Sequence, residues 1–165
     1  ALPIHLGIGI SRGERMDFAI QKSVELGVQA LTPLLTIRSV VQLTLERRDK
    51  RMEHWRGVIV SACEQSGRSR VPVLHPPRAL DEWLTAQRTG LMLYHKAANT
   101  LATAAPPDGE LNLLIGPEGG LSEGERGLAI RSGFTDVRLG PRVLRTETAP
   151  LAALAAIQVL WGDFR

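Results

Sequence analysis

The chain is short of cysteine, aromatic residues, lysine and long apolar runs, and each shortage excludes something. One cysteine among 165 residues, Cys63, rules out a disulfide framework and any multi-cysteine zinc site, and fits a reducing compartment. Aromatics make up only 4% of the residues, in a profile with 16 Gly and 10 Pro that rules out an extended disordered chain, a collagen-like repeat and a coiled coil. The longest apolar stretch, Ala149 to Trp161, is too short to span a bilayer. The opening ALPIHLGIGI lacks the basic leader of a secretory signal, so the expectation is a soluble, cytoplasmic protein with no membrane contact. The four histidines (His5, His54, His75, His95) stand at no ligand spacing, and no metal site is expected.

What is present is a globular composition, 44% hydrophobic and 22% charged, with enough chain for a single buried core. The basic residues are unusual: 17 of 20 are arginine. Residues 1–78 hold 12 basic against seven acidic side chains, and residues 79–165 hold eight against ten. Arginine binds phosphate bidentately and stacks on bases, so this bias hints at nucleic acid, although a solvated surface explains it too.

Hydrophobic patterning alternates between strands and helices. Ile4, Leu6, Ile8 and Ile10 mark a first strand; Met16, Ala19, Ile20, Ser23 and Val24 mark a helix that stops at Gly27. Val28 to Ile37 reads as a strand interrupted by Pro33. Leu45 to Gln65 is a long amphipathic helix with Met52, Trp55, Ile59 and Ala62 inward. Val71 to Leu74 is extended, Asp81 to Gln87 helical, Leu91 to His95 and Leu111 to Ile115 strands, and Ala97 to Glu110 a loop. Ser122 to Ser132 is helical, Val137 to Leu139 a short strand and Thr148 to Trp161 the last helix. The expected fold is one α/β domain with a largely parallel sheet flanked by helices.

Chemistry concentrates after two strands. Leu111-Asn-Leu-Leu-Ile-Gly-Pro-Glu-Gly-Gly-Leu-Ser-Glu-Gly-Glu125 runs from a buried strand through a glycine-rich turn into a helix capped by Ser122 and Glu125. Ligands of parallel sheets bind at such strand ends, and Gly116, Gly119 and Gly120 allow close backbone approach. Glu118 and the missing Lys-Ser/Thr pair exclude a phosphate loop, and favour a neutral or cationic ligand. Val137-Arg-Leu-Gly-Pro-Arg-Val-Leu-Arg-Thr-Glu-Thr-Ala-Pro150 places apolar Val143 and Leu144 between Arg142 and Arg145 in a second strand-end loop. Gly7-Ile-Gly9 with Gly13 is a near miss to the dinucleotide fingerprint, leaving a nicotinamide-dinucleotide oxidoreductase as an alternative. A non-catalytic RNA-binding module would explain the arginines but not the two strand-end loops.

Gly116-Pro-Glu-Gly-Gly120, Leu139-Gly140 and Leu144-Arg-Thr-Glu-Thr-Ala149 together resemble the SPOUT methyltransferases. Gln21-Lys-Ser-Val-Glu-Leu-Gly-Val28, Arg38-Ser-Val-Val41, His54-Trp-Arg56 and Ala62-Cys-Glu-Gln-Ser-Gly-Arg68 are similar to the uridine-N3 methyltransferases of small-subunit (16S) ribosomal RNA. The resemblance runs in order along nearly the whole chain. It implies a C-terminal trefoil knot, S-adenosylmethionine as cofactor, ribosomal RNA or the small ribosomal subunit as partner, and a homodimer through the last helix. Burial within one chain would equally explain that helix's apolar faces. The cofactor would meet Leu93, Gly116, Pro117, Glu118, Gly119, Gly120, Leu139, Gly140, Arg142, Val143, Leu144 and Arg145. The family's N-terminal PUA-type barrel has no counterpart here, so residues 1–165 are expected to be the methyltransferase domain alone. A sibling activity, ribose 2′-O-methylation of transfer RNA, would share fold and cofactor.

Methylation at the uracil imide nitrogen requires loss of its proton, by a base or beside cations. Arg145 and Arg12 are candidates for the cationic role, and Glu118, Glu147 and Glu64 for a base. Arg12, Lys22, Arg38, Gln65, Arg68 and Arg70 are candidates for holding RNA or local structure. Glu64, Gln65 and Arg68 form either a helix-terminal cluster or part of a uridine pocket across a dimer. Cys63, on the buried face of a helix, reads as an inert core thiol.

Overall fold

The computed structural model describes residues 1–39 and 43–165, so Val40 and Val41 of the Arg38-Ser-Val-Val41 motif lie outside the described residues. In chain order the elements are β1 (Ile4–Gly9), α1 (Gly13–Glu25), β2 (Ala30–Leu35), α2 (Leu45–Ser66), β3 (Val73–Leu74), β4 (Arg78–Ala79) and α3 (Leu80–Gln87). They continue with β5 (Gly90–Leu93), a 3-10 turn (Leu101–Thr103), β6 (Leu111–Ile115), α4 (Glu123–Arg131), β7 (Phe134–Val137) and α5 (Thr148–Trp161). The strands form one sheet in the order β3-β2-β1-β6-β5-β7, with β4 also paired to β2. Every one of these pairings is parallel.

The centre of the sheet reads directly from its residues. All six residues of β1 and all five of β6 are buried, as expected for strands covered on both faces. Ile4, Leu6 and Ile8 point into the larger core cluster with Met16, Ile20, Trp55, Ile59, Leu154 and Ile157, which places α1, α2 and α5 on that face. Leu80, Trp83, Leu84, Leu114, Ala129 and Phe134 form the cluster on the opposite face, under α3 and α4. The result is a three-layer sandwich.

Pro33 does not break β2, because it falls between the part paired with β3 (Ala30, Leu31) and the part paired with β4 (Leu34, Leu35). A residue without an N–H interrupts no ladder bond at that gap. The short strand β4 is an addition to the sequence reading, which left residues 78–80 unassigned between the extended Val71–Leu74 and the helix Asp81–Gln87. The last strand needs a correction: it covers Phe134–Val137 and not Val137–Leu139. Gly133, at φ +105°, turns the chain out of α4, and Phe134 then pairs with Gly90 and Val137 with Leu93. Arg138 continues only as a bridge to Thr100, leaving Leu139 free to enter a loop.

The last helix is fastened to the first by one buried amide. Gln158, 2% exposed, donates from Nε2 to Leu26 O at 2.9 Å, and its Oε1 accepts from Asp163 N. Gly27 is needed there: it has φ +90°, and a Cβ would stand 2.6 Å from Gln158 Nε2. Cys63 lies in the core, 4% exposed and unpaired. No described helix is long and apolar enough to cross a membrane.

Candidate active site

The site grows out of the end of β6. After Ile115 the chain makes a tight turn closed by Gly120 N donating to Pro117 O at 2.8 Å. Gly120 has φ +74°, which favours glycine. The turn is supported from behind: Arg38 Nη1 donates to Gly119 O at 3.2 Å and to Leu121 O at 3.4 Å. Ser122 and Glu125 form the expected capping box at the start of α4. Glu125, 8% exposed, does more, since its Oε2 accepts from Ile37 N at 3.1 Å and so ties the loop after β2 to the same turn.

A cleft of about 430 Å³ opens at the carboxyl ends of β5, β6 and β7. Its floor is Leu93, Ile115 and Val137; one wall is the Gly116–Leu121 turn and the other is the segment from Arg138 to Ala149 in the first turn of α5. Thr146 joins the two walls by donating from Oγ1 to Gly116 O at 3.0 Å. Eleven of the twelve expected cofactor residues border this cleft: Leu93, Gly116, Pro117, Glu118, Gly119, Gly120, Leu139, Arg142, Val143, Leu144 and Arg145. Gly140 does not; it faces a neighbouring apolar groove beside α5.

The structure divides the catalytic candidates. Arg145 and Glu118 border the cleft, whereas Arg12 and Glu147 do not. Glu118 is already engaged, its Oε1 accepting from Arg12 N at 3.1 Å and lying 3.6 Å from Arg15 Nη1. That carboxylate therefore occupies the amino end of α1, where the exposed N–H groups attract it. Glu147 flanks the start of α5, with a buried Oε2 that has no hydrogen-bond partner among the described residues.

The RNA candidates are scattered. Arg38 belongs to the cleft, but Lys22 pairs with Glu25 at 2.9 Å on the outer face of α1. Arg68 donates to Val24 O and Val28 O, both at 2.8 Å, and so fastens the end of α1. Glu64 and Gln65 are exposed beside it, and neither hydrogen-bonds to Arg68 among the described residues. Sequence reasoning missed Tyr94, His95, Arg126, Arg138 and Thr146 in the cleft lining. Tyr94 and His95 had a usable signal, because they directly follow β5 and strand ends carry sites. Arg126 had none, since it reaches the cleft from α4 by stacking on Tyr94, 4.4 Å from the ring centroid.

The cleft is displaced from the place where an open parallel sheet usually binds ligands. Strand order reverses between β1 and β6, and the crevice at that switch point is the usual site. Here it is filled, for a Cβ on Gly9 would stand 2.5 Å from Pro117 N. Gly7 is equally committed, its missing Cβ making room for the Trp83 ring 2.6–2.9 Å away. The Gly7-Ile-Gly9 pair thus serves packing, and the dinucleotide reading loses its phosphate cradle.

A family model for the RNA methyltransferase domain matches residues 1–158. Ribosomal RNA small subunit methyltransferase E from Buchnera aphidicola subsp. Schizaphis graminum is 40% identical over 165 residues, covering 98% of this chain and 67% of that protein. The Bacillus subtilis protein of the same name is 33% identical, covering 98% and 69% respectively. The crystal structure of the Neisseria gonorrhoeae methyltransferase E bound to S-adenosyl methionine superposes with a TM-score of 0.93 at 46% identity, over 99% of this chain and 68% of that one. The chain thus spans about two thirds of the length of these relatives. A parallel sandwich with a cleft between two strand-end loops, matched over 158 residues, establishes that this chain belongs to the RNA methyltransferase domain family.

Proposed function

We propose that the protein methylates N3 of a uridine in small-subunit ribosomal RNA, using S-adenosylmethionine held in the cleft at the ends of β5, β6 and β7. The carrying observation is the cleft itself: an apolar floor and side wall (Leu93, Ile115, Leu139, Val143, Leu144) facing a turn that exposes backbone polar groups. Those surfaces fit an adenosyl group, whose base is flat and apolar on its faces and polar at its edge. Its volume lies within the range of roughly 300–1,000 Å³ typical of small-molecule sites. When bound, the cofactor supplies a methyl group made electrophilic by an adjacent sulfonium.

The chain's own residues do the rest. Gly116 to Gly120 and Thr146 hold the two walls at fixed separation, which orients whatever lies between them. Arg145, exposed at the mouth, is placed to stabilise the imide anion that uracil forms on losing its proton. Glu118 is tied to Arg12 and Arg15, which argues for a cationic route over a carboxylate base. Substrate recognition would take place in the cytoplasm, on the small subunit or its RNA. A homodimer would form through α5, and the segment that follows β7 would thread the knot typical of SPOUT folds.

The test has two stages. Calorimetric titration should show saturable S-adenosylmethionine binding that is lost in Gly119→Val, whose side chain would press on Arg38 Cβ, 3.2 Å from the first added carbon. NADPH, titrated as the control for the dinucleotide reading, should not bind. Small subunits and naked RNA are then methylated and the nucleosides separated by mass spectrometry. A base-methylated uridine is expected, and a ribose-methylated nucleoside would replace this reading with the sibling one.

A further inference from the structure

Five guanidiniums border the cleft, those of Arg38, Arg126, Arg138, Arg142 and Arg145. Among the described residues none of them lies within 4.0 Å of a carboxylate. Arg38, Arg126 and Arg138 donate instead to backbone carbonyls, of Gly119 and Leu121, of Leu121, and of Ala97 and Ala98. A carbonyl orients a guanidinium without neutralising it, and the stacking of Arg126 on Tyr94 leaves its charge intact as well. Arg142 and Arg145 are exposed. Among the described residues the cleft has one carboxylate, Glu118, and that is held by Arg15 and the start of α1. His95 is the remaining titratable group besides Tyr94. The rim is therefore strongly cationic.

Such a rim does not treat the two forms of an adenosyl ligand alike. S-adenosylmethionine and S-adenosylhomocysteine share the adenosine, the ammonium and the carboxylate. They differ in one methyl group and in the positive charge of the sulfonium, so the guanidiniums disfavour the donor relative to the product. Charges several ångströms apart in a wet cleft interact weakly one by one, but five of one sign add up to a factor on the order of ten in affinity.

Resting on the adenosyl reading of the cleft, we propose that the arginine rim makes the cleft prefer the uncharged thioether to the sulfonium donor. RNA phosphates laid along the rim offset this, so donor and RNA bind with positive coupling. Linkage makes the coupling reciprocal: the donor tightens RNA by the same factor as RNA tightens the donor. The uridine nitrogen releases its proton to solvent and uses the freed electron pair to bond the methyl carbon, while the S–C bond breaks with its pair left on sulfur, which removes the cation. That abolishes the coupling and loosens the methylated RNA. The surface thus senses whether the reaction has occurred.

The experiment is calorimetric titration of the whole chain with each adenosyl ligand, at about 50 mM and about 500 mM salt. It is repeated with a short oligouridylate whose binding is confirmed by fluorescence anisotropy. At low salt the product should bind about tenfold more tightly than the donor, and high salt should shrink that ratio several-fold. The oligouridylate should lower the donor Kd several-fold and leave the product Kd nearly unchanged. Arg142→Gln, on an exposed loop, and Arg126→Gln should each narrow the ratio at low salt. Equal affinities, or a ratio indifferent to salt and to both variants, would mean that shape and not charge discriminates, and would overturn the proposal. Bound oligouridylate that alters neither constant would overturn the coupling. Failure of a folded protein to bind either ligand would instead remove the adenosyl reading beneath it.

Discussion

His5 shows how one residue can set a pH limit far from the site. It is 5% exposed on β1, with Nε2 2.7 Å from Thr32 Oγ1, its ring stacked on His75 at 5.1 Å, and Nδ1 3.8 Å from Glu110. Burial first, and the charge of His75 second, push its pKa down from 6.5 to about 4. Across that interval the unfolded chain binds the proton more readily than the folded one. The stabilisation is therefore complete above about pH 6.5 and is lost as pH falls towards 4. Its full size is roughly 3 kcal/mol. Urea midpoints measured across this window should fall steeply in the wild type and less so in His5→Gln; parallel curves would place the linkage elsewhere. Gly7 makes a different point. Gly7→Ala drives a methyl into the Trp83 ring and should cost about 1–3 kcal/mol, seen as a lower urea midpoint at unchanged m. A neutral result would show that Trp83 can move aside.

The start of α4 is where an element's capping and the site's architecture coincide. Ser122 caps the helix, and Glu125 answers it while also accepting from Ile37 N. Ser122→Ala should cost about 1 kcal/mol, the usual loss for an N-cap. Glu125→Ala should cost roughly 2–3 kcal/mol, because two backbone N–H groups lose their acceptor in a largely buried setting. Thermal melts of the two variants should keep that order. Equal melting temperatures would mean that the Ile37 contact adds nothing. Both substitutions should also weaken S-adenosylmethionine binding, since this cap holds Arg38 and the glycine-rich turn in register.

At the scale of the whole molecule, the proposed dimer is tested at the outer face of α5. Ala153, Leu154, Ile157 and Gln158 are buried against the sheet and α1, while Val159 and Leu160 are 61% and 40% exposed. They border an apolar groove with Leu101, Leu139 and Ala156. The helix is apolar nearly all round, and this chain itself covers one of its faces. If a second copy covers the other, Val159→Asp should shift the sedimentation coefficient from dimer to monomer with the fold retained. A wild-type monomer at working concentration would remove the dimer.

The fold class, the position of most elements and the two strand-end loops were legible in the residues, for local reasons. The eleven expected cofactor contacts that border the cleft came instead from family likeness, and Tyr94, His95, Arg126, Arg138 and Thr146 were missed. Periodicity separates strand from helix, Ser122 and Glu125 announce a cap, and a glycine-rich turn after the buried run Leu111–Ile115 marks a strand-end site. Sequence likeness supplied the family. Other features depend on partners distant in the chain, and no local pattern encodes those. Whether Gly7 and Gly9 cradle a ligand or make room for Trp83 and Pro117 is decided by what packs against them. The same holds for Arg68, which fastens α1, and for Arg38 and Arg126, which join the cleft. Chain order puts the two strand-end loops in one molecule, but only the parallel register of β5 with β6 and β7 brings them to either side of one cleft.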